Sequence, residues 1–289
     1  MSGSSALILG IIQGITEWIP VSSQGIVALV STWISDAGPS DAIAIALWLH
    51  VGTALSAAVA MRGEITSIIR EVVTAPIHPE PPSGHTERSP VHPERPPGHP
   101  ERSRRVAPIR FLALSTLVTA IVGVPLYLIL GEIANLLGSA AMLLIGLAMI
   151  ATAFTIRCGL WEGERGRTDV TRRDAIIAGV AQALAVIPGL SRTGLTVAVL
   201  LARDCSHREA VVLSVLMGIP ASLGAGLLAV STSDTIDGWP AVVALMTAAI
   251  VGTVTIRAIL AWATRVSLSR FVAAAGIAIA LGALIGLLA

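Results

Sequence analysis

Residues 5–34 read SALILGIIQGITEWIPVSSQGIVALVSTWI. The stretch is apolar enough for a membrane helix. Its middle, Ile19-Pro20-Val21-Ser22-Ser23-Gln24-Gly25, strings together residues that end one helix and start another. Proline lacks a backbone N–H and crowds the preceding turn, and a serine ahead of a new apolar run is a helix N-cap. A helical span needs roughly 20 apolar residues, because the hydrocarbon core is about 30 Å thick and a helix rises 1.5 Å per residue. Neither half of 5–34 is that long, so the segment reads as a re-entrant hairpin of two half-helices. Residues 174–203 have the same design, broken at Ile187-Pro188-Gly189-Leu190-Ser191-Arg192-Thr193-Gly194.

Around these two segments, six stretches are long and apolar enough to cross completely: 41–61, 109–130, 137–157, 209–230, 240–262 and 268–288. The fold class is therefore an all-α polytopic membrane protein, with six transmembrane helices and two re-entrant hairpins. Composition agrees: of 289 residues, 54% are hydrophobic and 13% charged, where a soluble domain carries about 25% charged residues. The mean hydropathy is +0.81. This excludes a nucleic-acid-binding module, a disordered regulator and a secreted disulfide scaffold. Cys158 and Cys205 stand in no metal-ligand spacing. No basic region precedes the first apolar run, so it does not read as a signal peptide. Among the six tryptophans, Trp18, Trp33, Trp48, Trp161, Trp239 and Trp262, some are candidates for interfacial anchors.

Arginine placement tests the layout. All 19 basic residues are arginines. Every one except Arg192 falls on the face that receives the 62–108 loop, the 158–173 loop and the turns at 203–208 and 263–267. The opposite face carries Asp36, Asp41, Glu132, Asp234 and Asp237. The positive-inside rule then puts the arginine-rich loops in the cytoplasm and both termini outside, in a cell membrane.

The chain also aligns with itself at an offset of 169, pairing Gln13 with Gln182, Ser22 with Ser191 and Gly25 with Gly194. Residues 1–160 form one repeat of a hairpin and three spans, and 161–289 form the second. Three spans after the first hairpin make the second copy enter inverted, so the two tips approach from opposite leaflets. Broken helices at the interface of an inverted repeat point to a buried binding site.

The segment from 75 to 108 is different material. A tandem duplication, His78–Val91 followed by His92–Arg105, has a period of 14 and is rich in Pro, Gly, His, Glu and Arg. Such a composition buries too little apolar surface to fold and predicts a disordered loop. Histidines at 78, 85, 92 and 99 invite a metal-binding reading; a polar expansion without a role in the chemistry is the simpler one.

Three ionisable residues lie within the apolar segments away from their ends: Glu17, His50 and Arg192. Each is a functional candidate, because a charge in a bilayer is costly. Gln13 and Glu17 are one turn apart and share a helix face. Ser22 and Ser23 follow Pro20 at one tip, and Ser191, Arg192 and Thr193 follow Gly189 at the other. A half-helix beginning at each tip presents unpaired N–H groups and a positive dipole end, suited to oxyanions. Gly25 and Gly194 permit close backbone approach, and Arg192 adds a charged fork matched to phosphoryl oxygens. Glu17 suits holding a divalent cation or moving a proton. A purely structural ion pair of Glu17 with Arg192 is the competing reading. For His50, an interhelical hydrogen bond competes with a role as proton carrier. An anion site at membrane depth suggests an anionic lipid.

At these residues the chain resembles the undecaprenyl-diphosphate phosphatase (bacitracin-resistance) family. The stretches Gln13-Gly14-Ile15-Thr16-Glu17-Trp18-Ile19-Pro20-Val21-Ser22-Ser23-Gln24-Gly25 and Ile187-Pro188-Gly189-Leu190-Ser191-Arg192-Thr193-Gly194-Leu195-Thr196 are similar to its two signature motifs. The resemblance implies hydrolysis of a polyprenyl diphosphate lipid to the monophosphate and inorganic phosphate, which recycles a glycan carrier lipid. It implies catalytic roles for Glu17, Ser23 and Arg192, and Mg²⁺ or Ca²⁺ at Gln13 and Glu17. Diphosphate binding would fall to Ser22, Gly25, Gly189, Ser191, Thr193, Gly194 and Thr196. Where bacterial members carry a histidine after the glycine, this chain has Ile26. That departure shifts proton transfer toward Glu17 and indicates a divergent, archaeal-type member, for which a dolichyl-type lipid is an alternative substrate. The partners so implied are the lipid, the bilayer and a second copy of the chain as a homodimer. A secondary transporter or flippase for an anionic lipid is the rival from another class, because inverted repeats with broken helices are also transporter architecture.

Overall fold

The computed structural model describes residues 1–18, 22–35, 37–74, 105–137, 163–187 and 190–262. The described residues are helical, apart from connecting turns and one isolated bridge between Arg165 and Cys205. In chain order the helices are α1 (Gly3–Thr16), α2 (Ser23–Ile34), α3 (Pro39–Ala60), α4 (Arg62–Val73), α5 (Ala107–Leu137), α6 (Arg172–Leu184), α7 (Arg192–Ala202), α8 (His207–Thr232) and α9 (Gly238–Trp262). Four stretches are long and apolar enough to span a bilayer: Ser40–Ala60, Ala107–Ile129, His207–Thr232 and Gly238–Ala258. The protein is a multi-pass membrane protein. The predicted spans at 137–157 and 268–288 lie, apart from Leu137, outside the described residues, as does most of the 75–108 loop.

Both broken segments divide where their sequences indicate. α1 has 14 residues and α2 has 12, and the gap between them contains Pro20. α6 has 13 and α7 has 11, around Pro188. Each new half-helix is started by a serine. Ser22 Oγ accepts the Gly25 N–H and Ser191 Oγ accepts the Gly194 N–H, both at 3.2 Å. At the base of the second pair, Thr171 and Asp174 form a capping box that fixes the start of α6.

Packing crosses between the halves of the chain. α1 lies against α9, α6 against α5, and α3 against α8. Small residues let the backbones approach, as membrane helix contacts require. A Cβ on Gly10 would sit 2.6 Å from the Ala244 carbonyl oxygen, and one on Gly179 would sit 2.7 Å from that of Ser115. These two glycines are themselves 169 positions apart. Trp33 and Trp239, at the ends of α2 and α9, are largely exposed, as interfacial anchors would be.

Two boundaries differ from the sequence reading. The residues after Met61 form a separate helix, α4. Its Ile68 is buried while Arg70 is exposed, a one-sided pattern too short and too charged to register as a span. α5 begins at Ala107 and runs to Leu137, past Pro125 and through the turn predicted after residue 130.

Candidate active site

Glu17 caps the C-terminus of α1, where its N–H donates to the Gln13 carbonyl. Its side chain is only 3% exposed. A carboxylate that deep needs donors; three converge on it, with an imidazole nitrogen alongside. Arg192 Nη2 lies 2.5 Å from Oε1. Ser23 Oγ donates to Oε2 at 2.7 Å, and Gln13 Nε2 does so at 2.9 Å. His50 Nε2 lies 3.2 Å from the same oxygen.

Arg192 is the first residue of α7, set just after the second break, so its side chain reaches back toward the first pair of half-helices. Its fork is held on both sides. Nη1 donates to the Gly218 carbonyl at 3.0 Å and to Ser222 Oγ at 2.6 Å, while Nη2 faces Glu17. Gly218 makes this possible: a Cβ there would lie 2.9 Å from Arg192 Cζ.

A cleft of about 20 Å³ between the two breaks is lined by Glu17, Ser22, Ser23 and His50 from one side and Ser191, Arg192 and Thr193 from the other. Both half-helix N-termini face it. With Ser22 and Ser191 capping the glycines, helix geometry leaves the first N–H groups, at Ser23 and Gln24 and at Arg192 and Thr193, without intrahelical partners. That is an arrangement for an anion.

Several residues behave differently from the rest of the predicted set. Thr196 is fully buried, donates to the Arg192 carbonyl at 2.8 Å and meets Ser214 Oγ at 2.5 Å, so it faces α8 rather than the cleft. Gly25 and Gly194 contribute their N–H groups to the serine caps. Gly189 lies outside the described residues. His50, for which two readings were open, is in the site, 3.5 Å from Ser23 Oγ as well as beside Glu17; its Nδ1 lies 2.6 Å from the Ala46 carbonyl oxygen. Sequence reasoning missed Ser222 and Gly218, which sit within an unbroken apolar helix and carry no motif. It also missed Gln24, whose Nε2 donates to the Val186 carbonyl at 3.3 Å and ties the two broken segments together.

The oxygens available for a cation are those of Glu17 and Gln13 Oε1, which is buried and has no protein partner. Among the described residues, no group of three or more His, Cys, Asp or Glu side chains forms a ready-made cage. A hard dication that keeps its waters and takes further oxygens from phosphate needs only one or two such protein ligands. The donor set fits that case.

Beside the cleft lies a larger cavity of about 210 Å³, running between α3, α5, α6 and α8. Gln24, His50, Ala185 and Arg192 line both spaces. Its walls are otherwise mainly apolar, including Leu47, Val124, Val186, Ala225 and Leu228. A charged cleft opening into an apolar groove matches a molecule with an anionic head and a hydrocarbon tail.

Comparison with known proteins gives the family. The family model described as "Bacitracin resistance protein BacA" matches residues 6–284. An undecaprenyl-diphosphatase of Haloarcula marismortui is 34% identical over 259 residues, covering 88% of this chain and 87% of the relative. One from Methanococcoides burtonii is 34% identical over 281 residues, covering 96% and 97%. One from Pyrobaculum aerophilum is 33% identical over 266 residues, covering 89% and 88%. With the family model matched over nearly its full length and relatives at 34% identity covering most of it, the chain belongs to the bacitracin resistance protein BacA family.

Proposed function

We propose that this protein is an integral-membrane phosphatase that hydrolyses a polyprenyl diphosphate, of undecaprenyl or dolichyl type, to the monophosphate and inorganic phosphate. The observation that carries the reading is the meeting of Glu17, Arg192 and two half-helix N-termini at the mouth of an apolar groove. The names of the relatives give it independent support.

In this reading the terminal phosphoryl group lies in the cleft and the prenyl chain in the groove. Arg192 is already fixed by Gly218 and Ser222, so little reorganisation is needed for its guanidinium to stabilise charge growing on the phosphoryl oxygens. Ser191, Thr193 and the first N–H groups of α2 and α7 complete the oxyanion cradle, with Ser22, Gly25, Gly189 and Gly194 shaping its edges. Thr196 serves from behind, holding the Arg192 backbone against α8. Ser23 stands at Glu17 Oε2 as nucleophile or as donor to the attacked phosphoryl group, and Glu17 is the acceptor for its proton. His50 approaches that carboxylate oxygen from α3. A divalent cation, Mg²⁺ or Ca²⁺, held by Glu17 and Gln13 Oε1, would supply Lewis-acid neutralisation of the diphosphate charge.

The two pairs of half-helices act as re-entrant hairpins inserted from opposite faces, within an inverted repeat of 1–160 and 161–289 joined by six spans. Support comes from the matching lengths of the half-helices and from the crossed packing of α1 on α9 and α6 on α5. With the arginine-rich loops cytoplasmic, the groove runs from the cleft toward Tyr127 and Leu228, in the outer half of the bilayer.

The test is phosphate release from detergent-solubilised protein given a polyprenyl diphosphate, with and without chelator. There is no second compartment in detergent, so turnover requires an enzyme. Headgroup binding without turnover would instead favour the transporter reading.

A further inference from the structure

One glycine contact occurs twice in this fold. Gly10 of α1 meets Ala244 and Thr247 of α9, and Gly179 of α6 meets Ser115 and Val118 of α5. A shift of 129 positions therefore carries α9 onto α5 (Ala244 to Ser115, Thr247 to Val118). The shift of 169 that carries Gly10 to Gly179 also carries α3 onto α8. The α3–α9 seam and the α8–α5 seam are thus counterparts, yet they are built differently.

The α3–α9 seam is closed. Ser56 Oγ donates to the Ala249 carbonyl at 2.7 Å, and a Cβ on Gly52 would collide with the Leu245 carbonyl. In the other seam the corresponding pairs are Ala225 with Ala120, and Ala221 with Thr116. The serine donor and the glycine that permits close approach are both replaced by alanine. All four residues line the 210 Å³ cavity instead.

This second seam is shut only at its ends. Phe111 packs with Leu213 and Met217 at one end, and Tyr127 Oη meets Thr232 Oγ1 at 3.1 Å at the other. Between them, Ala120 and Val124 on α5 and Gly224 on α8 line the cavity and are also exposed. A Cβ on Gly224 would meet nothing within 4 Å. The cavity therefore opens sideways, between two helices that are each long and apolar enough to span. A cavity of this volume holds only a short part of a polyprenyl chain, so the remainder has to leave it. An exit on the flank of two spans keeps that remainder in hydrocarbon, with no apolar surface moved into water.

We propose that the α5–α8 seam is the side entrance for the prenyl chain, and that Gly224 at its edge is a specificity-determining residue. With no side chain at 224, a chain too long for the cavity passes out between the helices. The inference rests on the phosphatase reading and adds to it the residue at which chain length is felt.

The experiment compares two substrates on purified full-length protein in detergent. Undecaprenyl diphosphate has a tail that must emerge through the seam, and geranyl diphosphate has a short tail that ends inside the cavity. Gly224→Leu and Gly224→Trp place larger side chains in the open space, and both residues favour a helix over glycine, so the fold is kept. In Gly224→Trp, kcat/KM for undecaprenyl diphosphate should fall by about tenfold or more, with a smaller loss in Gly224→Leu. The value for geranyl diphosphate should stay parental, a split that a merely structural role would not produce. Leu227→Trp, exposed on the same helix but outside the cavity lining, should leave both substrates unchanged. A parental value for undecaprenyl diphosphate in Gly224→Trp, or an equal loss on both substrates, overturns the inference and leaves the phosphatase reading intact. A parental protein that releases phosphate from neither substrate overturns both.

Discussion

Arg192 Nη2 lies 2.5 Å from Glu17 Oε1, joining residues 175 positions apart in the chain. The contact is built by the two breaks: the end of α1 puts the acid at one tip and the start of α7 puts the guanidinium at the other. The two groups differ in what else supports them. Glu17 keeps Gln13, Ser23 and His50 when Arg192 is removed, whereas Arg192 keeps only neutral partners, the Gly218 carbonyl and the Ser222 hydroxyl, when Glu17 is removed.

The first prediction concerns that arginine. A lysine carries the charge but cannot place one nitrogen on Glu17 and another on Gly218 and Ser222. Arg192→Lys should therefore lose about 10²-fold or more in phosphate release, the scale of removing one fixed transition-state donor. Arg192→Ala and Glu17→Ala should lose several orders of magnitude while still inserting and purifying. Turnover assays with thermal unfolding of the same detergent samples separate lost chemistry from lost folding, since breaking a buried pair costs about 3–5 kcal/mol. Near-parental rates in the alanine variants would dismiss the site.

A second prediction tests whether the position of Arg192 matters apart from its charge. Gly218→Ala changes no polar group, yet its Cβ would fall 2.9 Å from Arg192 Cζ and Nη1. The guanidinium has to move, and displacement of a reacting group by about 1 Å can cost about 10²-fold. Gly218→Ala should thus lower kcat by at least about tenfold. Gly63→Ala, on α4 with open space at its Cβ and outside the lining of both cavities, should stay near the parental rate.

Much of this was legible in the sequence because breaks are strong local signals. Pro20, Pro188 and the serines after them mark the ends of α1, α2, α6 and α7, and charge in an apolar segment marks Glu17 and Arg192. What was not legible depends on tertiary contact. Ser222 and Gly218 lie in the uncharged middle of α8, and only the cross-packing of α7 and α8 gives them a role. Thr196 belongs to the motif, yet one turn along α7 it lies deeper than the cleft and meets Ser214 of α8 instead. His50 shows the same gap: a lone histidine in a span reads equally well as a helix linker or a site residue until the position of α3 is known. α4 was hidden because its apolar side is too narrow to stand out from the polar sequence that follows.

Outside the membrane, Asp174 makes a prediction about pH. It is fully buried. Burial alone would raise its pKa, but hydrogen bonds from Arg165, Arg203 and Thr171 outweigh that and hold it at about 2. A folded pKa below the unfolded value of about 3.9 means the contribution to stability is complete above pH 4 and is lost as pH falls toward 2. Detergent-solubilised protein should lose thermal stability across that window. Asp174→Asn should be less stable at neutral pH and show a smaller acid-induced loss. An unchanged acid slope in the variant would contradict the assignment.

Glu17 Oε2 carries the last prediction, since Ser23 Oγ at 2.7 Å and His50 Nε2 at 3.2 Å share it. The two partners do different things. Ser23 presents an oxygen that can attack phosphorus, whereas His50 holds the carboxylate that receives the proton. Ser23→Ala should then be the more damaging change, by about 10²-fold or more if attack is covalent. Rapid quenching of a labelled diphosphate reaction should trap phosphoserine in parental protein but not in Ser23→Ala. If no phosphoserine is trapped while Ser23→Ala is still impaired, attack is by water and Ser23 acts as a donor. His50→Ala should reduce turnover by about tenfold, the scale of one lost polar contact beside the reacting groups, and His50→Gln should recover part of it. Parental turnover in His50→Ala would leave the imidazole a packing role on α3, where its Nδ1 meets the Ala46 carbonyl one turn back.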